Sequence, residues 1–148
     1  MNHHTKNLGD IGVAQVIASL MKNGIQVCLP ISERLPFDLV AISPDGNCLK
    51  RVQVKYVSLK DGKICIPLEG TAWTNKKGMY SVKRDLSLID VFAVYCPEVD
   101  SVYYVKTTDI GANSRAFTLR TKLPANNQTK GIHLSERFIS PLRIFISP

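Results

Sequence analysis

The chain has 148 residues, of which 45% are hydrophobic and 21% charged, and it carries a net charge of +7. This length and composition suit a single globular domain with its own core, and they exclude a disordered or fibrous chain. No apolar stretch approaches the roughly 20 residues of a membrane span, and the first residues lack the apolar segment of a signal peptide, so we predict a cytoplasmic protein with no membrane partner.

The first predicted element is a helix from about Asp10 to Asn23. Its apolar residues recur at intervals of three and four, which places one hydrophobic stripe along the helix. That stripe consists of Val13, Val16, Ile17 and Leu20. Gly24 is positioned to end the helix in a left-handed C-cap, and Asp10 is positioned to cap its start.

Short strands follow the helix and predict a meander. The predicted strands span residues 25–29, 37–42, 49–57 and 63–68. Residues 43–47 form a turn that folds the second of these strands back onto the third. Cys28, Cys65 and Cys96 lie in apolar strand-like runs without a Cys-x-x-Cys pair, so we expect reduced, buried thiols.

The second half of the chain begins with a polar segment, residues 70–84, which predicts a loop that can contain short strands. Residues 89–96 are almost continuously apolar, which is typical of a central strand buried on both faces. Further predicted elements are a strand at 101–106, a short helix at 107–109, a strand at 115–120 and a helical turn at 135–138. The fold class is therefore α/β or α+β, with a mixed central β-sheet flanked by helices in one domain, residues 1–148.

Three polar side chains stand out on the predicted hairpin: Asp38 at its first strand, and Gln53 and Lys55 on its second. Side chains alternate along a strand, so Gln53 and Lys55 share one face, and the hairpin brings Asp38 close to both. An ammonium on an apolar strand is costly without a partner, which Asp38 would supply. Asp38 alone is better explained as a strand-entry residue that satisfies loop amides. Together, the carboxylate, amide and amine can hold a hard divalent cation against a phosphodiester.

Residues 9–56 resemble the core of the PD-(D/E)XK nuclease superfamily: a helix, a strand, a strand with an Asp, and a strand with an acid-x-Lys pair. Asp38 matches the metal-binding Asp and Lys55 the catalytic lysine. Gln53 stands at the position of the acid, and Phe37 separates Asp38 from Pro36. The motifs that carry the resemblance are Gly9-Asp10-Ile11-Gly12, Pro36-Phe37-Asp38-Leu39-Val40, Arg51-Val52-Gln53-Val54-Lys55 and Asp90-Val91-Phe92-Ala93-Val94-Tyr95.

These motifs are most similar to a branch of small archaeal and bacterial endonucleases that includes a cyanobacterial group I intron homing endonuclease. The similarity extends from about Leu8 to Tyr104 and ends before about Asp109. It implies a Mg²⁺-dependent, site-specific double-strand DNA endonuclease. Asp38 and Gln53 would be the metal ligands, with Mn²⁺ or Ca²⁺ able to take the place of Mg²⁺, and Lys55 would act on the reacting groups.

The family commonly supplies another carboxylate from its first helix, in the sequence Gly-Asp-Ile-Gly-Glu-Ala. Val13 occupies the place of that Glu, and its position belongs to the predicted catalytic set. One explanation is that Val13 is natural, with Asp10 supplying the charge or with no helix acid needed. The other is that Val13 is a substitution that inactivates the enzyme. The sequence favours the second, because Asp10 already has a role as the cap of the helix.

Positive charge is concentrated in two segments, which favours a polyanionic partner over a neutral one. We predict that residues 70–85 and 110–148 add DNA contacts and oligomerisation surfaces to the nuclease core. The predicted DNA-binding residues are Trp73, Asn75, Lys76, Lys77, Tyr80, Ser81, Lys83, Arg84, Arg115, Arg120 and Lys122. Solvated loops with no ligand are the alternative for both segments.

Cutting both strands of a duplex needs two active sites, so symmetry predicts a homodimer on a long pseudopalindromic site. The resemblance implies further pairing into a tetramer, and the apolar residues 139–146 could serve this assembly or cap the core. Two other functions remain open from the sequence. One is a Holliday-junction resolvase, which reads DNA shape, and the other is a non-catalytic basic module that binds nucleic acid without metal.

Overall fold

One α-helix and ten β-strands make up the regular structure of residues 3–147, the part of the chain that the computed structural model describes. Helix α1 spans His3–Lys22. The strands are β1 Gln26–Cys28, β2 Leu39–Ile42, β3 Leu49–Tyr56, β4 Lys63–Pro67, β5 Gly70–Thr74, β6 Gly78–Val82, β7 Val91–Cys96, β8 Ser101–Lys106, β9 Ala116–Arg120 and β10 His133–Leu134. Short 3-10 helices lie at Leu86–Leu88, Thr107–Asp109, Ser135–Phe138 and Pro141–Phe145. Met1, Asn2 and Pro148, at the ends of the expected domain, lie outside the described residues.

The central sheet has five strands in the order β1-β2-β3-β7-β8. Strands β3 and β7 are parallel, and the other neighbours are antiparallel, so the sheet is mixed, as predicted. A smaller sheet has the order β10-β9-β4, and β5 pairs with β6 in a separate two-stranded ribbon. Strand β4 thus leaves the central sheet, and the predicted meander ends at β3.

Strand β7 shows why the domain has two cores. All six of its residues are buried, because each face of the strand packs against a different layer. Val91, Ala93 and Tyr95 pack in the core with α1, whereas Phe92, Val94 and Cys96 pack in the core with β4 and β9. The predicted central strand, buried on both faces, is confirmed, and the layers run helix, central sheet, smaller sheet.

Two local predictions differ from the structure, the start of the helix and the burial of the cysteines. The helix begins at His3, seven residues before the predicted start, so Asp10 is an exposed residue inside the helix and does not cap it. Residues 70–84 contain the short strands that their prediction as a loop allowed, and these strands, β5 and β6, pair as a ribbon over 70–82. Cys28 and Cys65 are exposed, because both occupy outward-facing strand positions, whereas Cys96 is buried as expected.

The C-terminal apolar segment divides between the core and the surface. Ile144 is buried in the core beneath α1, whereas Ile139, Leu142 and Ile146 are exposed. Among the described residues, no helix combines the length and the apolar character that crossing a membrane requires.

Gly12 lies inside α1 where the helix packs on β3. A Cβ at this position would lie 3.5 Å from Val54 Cγ1 and 3.6 Å from Tyr56 Cβ, which are ordinary van der Waals distances. We therefore expect Gly12→Ala to raise the free energy of unfolding by about 1 kcal/mol, the difference in helix propensity between the two residues. Urea denaturation followed by circular dichroism measures this change.

Gly9→Ala is the matched control, because nothing lies within 4 Å of its Cβ position. This variant gains helix propensity without gaining a contact with the sheet. A loss of stability in Gly12→Ala, with a gain in Gly9→Ala, would contradict the spacing between α1 and β3 described above.

Candidate active site

Asp38 lies one residue before β2, next to the point where the antiparallel pairing of β2 with β3 ends at Leu39 and Val52. Its backbone N–H donates to the Val52 carbonyl at 2.8 Å. Its carboxylate oxygen Oδ2 accepts two hydrogen bonds, from the Val54 N–H and from Gln53 Nε2, both at 2.7 Å. The half-buried carboxylate is therefore fixed against the edge of β3, and its other oxygen, Oδ1, accepts no hydrogen bond from the described residues.

Gln53 and Lys55 lie on the face of β3 that points away from α1. The alternate residues Val52 and Val54 are buried in the core beneath the helix, as the strand periodicity predicts. The register places Gln53 beside Phe92 of β7 and Lys55 beside Val94. The hairpin therefore brings Asp38 and Gln53 into direct contact, with Lys55 two residues further along the same face.

An ion pair between Arg51 of β3 and Asp90, the residue before β7, holds this part of β3 in place. The Arg51 guanidinium donates to Asp90 through Nη2 at 2.9 Å and through Nε at 3.0 Å, and the Arg51 N–H donates to the same carboxylate at 2.8 Å. A charge-assisted contact with several donors is strong and directional. Arg51 and Asp90 therefore fix the start of β7 beside the strand that bears Gln53.

Arg84, two residues after the ribbon, completes the site. Its Nη1 donates to Gln53 Oε1 at 2.7 Å, while the same Gln53 amide donates to Asp38. The amide nitrogen of Gln53 therefore contacts a carboxylate, and its amide oxygen contacts a guanidinium. Arg84 was predicted to bind DNA, and its contact with Gln53 was not predicted, because no local pattern relates two residues that are 31 positions apart.

Burial sets the electrostatics of the site. Burial raises the pKa of Asp38, against the lowering effects of the Val54 hydrogen bond, Lys55 and Arg84. Burial also lowers the pKa of Lys55, assisted by the charge of Arg84 and opposed by that of Asp38. Two cations thus surround one carboxylate in a partly dehydrated space, an arrangement suited to binding an anionic group.

A sequence model of the PD-(D/E)XK endonuclease family matches residues 3–140. This chain belongs to the PD-(D/E)XK endonuclease family. Among solved structures, a bacterial homing endonuclease, I-Ssp6803I, superposes with a TM-score of 0.72 at 24% sequence identity, covering 91% of this chain and 88% of that one. The Holliday junction resolvase Hjc of Archaeoglobus fulgidus aligns with a TM-score of 0.45 at 12% identity, over 76% and 83% of the two chains. We found no significant match among curated proteins.

These findings confirm the family and the fold class that the sequence predicted. PD-(D/E)XK nucleases generally use divalent metal ions, so the donor set of this member has to be compared with that requirement. Asp38 Oδ1 and Gln53 Oε1, the latter only if Arg84 released it, would be the residues' hard oxygen donors of the kind that Mg²⁺ prefers. Within residues 3–147, no three His, Cys, Asp or Glu side chains cluster at metal-binding distance. The donors therefore fit Mg²⁺ in kind, with only one of them charged.

Val13 is half-buried and packs against the core beneath α1. The neighbouring Gly12 lies against Val54, Lys55 and Tyr56, which places this turn of the helix level with the Asp38–Val54 hydrogen bond. Gln53 and Lys55 project from the opposite face of the sheet. Position 13 and the side chains of Gln53 and Lys55 therefore lie on opposite sides of the central sheet.

The residues predicted to bind DNA fall into two groups, with Arg120 and Lys122 apart from both. The first group lies on the ribbon, where Trp73 and Met79 are directly paired and are 67% and 75% exposed. Asn75, Lys76 and Lys77 form its tip, and the Lys77 ammonium lies 5.5 Å from the centre of the Tyr80 ring. All of these side chains project into solvent.

The second group lies around a cleft of about 430 Å³ between the base of the ribbon and the 111–115 loop. Ser81, Lys83, Arg84 and Arg115 line it, together with Asn113 and Ser114, which the sequence analysis missed. Lys83 contacts Asn113 at 3.4 Å. Arg120 and Lys122 lie at the other end of β9, about 17 Å from Arg115 at the usual rise of a strand, and Arg120 lines a different cleft with Lys63 and His133.

Proposed function

We propose that this chain is a Mg²⁺-dependent double-strand DNA endonuclease of the homing type, specific for a long pseudopalindromic site. The observation that supports the proposal most strongly is the contact between Asp38 and Gln53, with Lys55 beside them, in a chain of PD-(D/E)XK ancestry. The similarity to a bacterial homing endonuclease over nearly the whole chain supports the finer assignment.

In this proposal each polar side chain has one task. Asp38 and Gln53 hold the cation, and Lys55 orients the attacking water or offsets the charge that develops on the phosphate. A bound Mg²⁺ supplies a positive charge that polarises the phosphate and lowers the pKa of water. Burial lowers the pKa of Lys55, so its ammonium gives up a proton more readily than an exposed lysine does, which suits a group that handles a proton at the reacting centre.

The ribbon has the dimensions of a DNA-reading element. A two-stranded β-ribbon fits the major groove of B-DNA, where side chains reach base edges. On one ribbon face Thr71, Trp73, Met79 and Ser81 are all exposed, so the ribbon offers both apolar and hydrogen-bonding groups. We propose that the tip lysines and the cleft residues hold the phosphates while this face reads the bases.

Cleavage of both strands requires a second active site, and we propose that a homodimer or tetramer supplies it. Ile139, Leu142 and Ile146 are exposed in the C-terminal segment and are available for such an interface. The same segment inserts Ile144 into the core, so it would link the subunit fold to the assembly.

The direct experiment is an incubation of the protein with intron-less and intron-interrupted target DNA, with Mg²⁺ and with EDTA. We expect only the intron-less duplex to be cleaved, and only when Mg²⁺ is present. Preferential binding and cutting of four-way junctions over linear duplex would instead identify a resolvase. Metal-independent binding without cleavage, unchanged in Asp38→Asn, would identify a non-catalytic module.

Val13→Glu tests whether the chain is impaired by the lack of a second carboxylate. We expect this variant to bind Mn²⁺ and to cleave about tenfold better than the parent, because one or two carboxylates normally hold such a cation. A carboxyl group at this half-buried position also destabilises the fold, by roughly 1–3 kcal/mol. Titration calorimetry and single-turnover cleavage at saturating protein give the two values.

Val13→Gln is the matched control, because glutamine has the shape of glutamate without its charge. Equal behaviour of the Glu and Gln variants would show that position 13 does not reach the metal. Full cleavage by the parent would show that Val13 is compatible with activity and that one acid suffices.

A further inference from the structure

Arg84 occupies the oxygen that a metal would need. Gln53 Oε1 accepts from Arg84 Nη1 at 2.7 Å, so the amide oxygen is engaged in the DNA-free protein. We propose that Arg84 is a positioning residue that holds the Gln53 oxygen in the DNA-free protein and releases it to the metal when a DNA phosphate binds the guanidinium. This inference rests on the proposed function, since it concerns the regulation of that same metal site.

The local charge explains why the oxygen is not free in the absence of DNA. Lys55 and Arg84 bring two positive charges to one carboxylate, that of Asp38, in a partly buried space. Adding a divalent cation to this set places four positive charges beside one negative charge. A guanidinium already satisfies the Gln53 oxygen, so metal entry without an anion is opposed by repulsion and by the loss of a charge-assisted hydrogen bond.

A DNA phosphate reverses this balance, and the structure provides a place for the released guanidinium. Arg84 also lines the cleft at the base of the ribbon, where three cations, Lys83, Arg84 and Arg115, stand against one carboxylate, that of Glu69, which lies 3.6 Å from Arg115. Arg is well suited to bidentate binding of phosphate, which gives the guanidinium a stronger partner than a neutral amide. A phosphate in the cleft therefore competes with Gln53 for Arg84.

The position of Arg84 in the chain links this exchange to DNA docking. It lies two residues after β6, and its Nη2 lies 3.5 Å from the Cβ position of Gly70, where β5 begins. The side chain thus crosses the base of the ribbon between its two strands. Docking of the ribbon on a duplex brings phosphates to this point, so the metal site would be completed only when DNA is present.

The test measures metal affinity without DNA in the parent, Arg84→Met, Lys83→Met and Asp38→Asn. Lys83→Met is the matched control, because it removes a neighbouring positive charge without touching Gln53. We expect titration calorimetry to show Mn²⁺ binding about tenfold tighter in Arg84→Met than in the parent, and less than twofold tighter in Lys83→Met. The side-chain amide resonance of Gln53 is expected to shift in Arg84→Met, and in the parent when metal-free duplex is added.

Each outcome bears on a different claim. Tighter Mn²⁺ binding in Arg84→Met than in Lys83→Met, together with a shifted Gln53 resonance, supports the exchange. Equal affinities in these two variants, with binding still weakened in Asp38→Asn, overturn the role of Arg84 and leave the metal site intact. No Mn²⁺ binding in any variant, Arg84→Met included, overturns both the exchange and the proposed metal site.

Discussion

Asp38→Asn is expected to reduce Mg²⁺-dependent cleavage by about 1000-fold, since a bound metal supplies several kcal/mol of transition-state stabilisation. The geometry makes this substitution unusually selective. Both hydrogen bonds to the Asp38 side chain end on Oδ2, so the amide oxygen of the variant can accept both. The amide nitrogen then replaces Oδ1, the oxygen that has no hydrogen-bond partner among the described residues, and removes the negative charge that attracts the cation.

Three measurements separate a catalytic loss from a structural one. Asp38→Asn should bind target duplex with parental affinity in Ca²⁺-free buffer, unfold at a similar urea concentration, and fail to bind Mn²⁺. Asp61→Asn is the matched control, because Asp61 is exposed in a turn with φ of 50°, a conformation that asparagine tolerates well. Retention of cleavage in Asp38→Asn would remove Asp38 from the metal site.

The parts of the fold that were predictable from the sequence are those in which one local pattern has one outcome. The apolar run that became β7 required burial on both faces, and the structure provides a layer on each side. The alternation in β3 required Gln53 and Lys55 on one face, and the tight turn before it brought Asp38 to that strand. Periodicity and turn chemistry decide such features without tertiary information.

The features that escaped prediction depend on long-range contacts or on weak local signals. The ribbon at 70–82 has polar residues on both faces, so it lacks the alternation that identifies a half-buried strand. The helix extends back to His3 through residues with no apolar stripe, and the cap-like pattern at Asp10 was misleading. The Arg84–Gln53 hydrogen bond joins two elements whose relative position is set by the whole domain.

The site also illustrates a conflict between stability and function. A fold alone would not select a half-buried ammonium at Lys55, because burial disfavours its charged form more than Asp38 favours it, as the lowered pKa shows. The same applies to Asp38, whose pKa burial raises in spite of three opposing contacts. Side chains that weaken a fold in this way are concentrated where binding or chemistry requires them.

Lys55→Met is therefore expected to slow cleavage strongly and to stabilise the protein. The loss of the amine should lower the single-turnover rate by about 100-fold, the effect typical of removing one group that stabilises developing charge. The free energy of unfolding at pH 7 should rise by about 1 kcal/mol, in the usual range for a stabilising substitution. Methionine keeps most of the aliphatic chain of Lys55, so the gain comes from removing the half-buried charge.

The pH dependence gives this prediction a sign. Because the pKa of Lys55 is lower in the folded state than the ordinary 10.5, the unfolded chain binds more protons between these two values. Stability of the parent should therefore gain a contribution as pH rises through that window, and Lys55→Met should lack it. Lys60→Met, at an exposed position, is the matched control and should change neither the rate nor the pH slope. Destabilisation in Lys55→Met would mean that the Lys55 ammonium stabilises the fold as a partner of Asp38. Stabilisation together with slowed cleavage would mean that the Lys55 charge serves the reaction at the expense of stability.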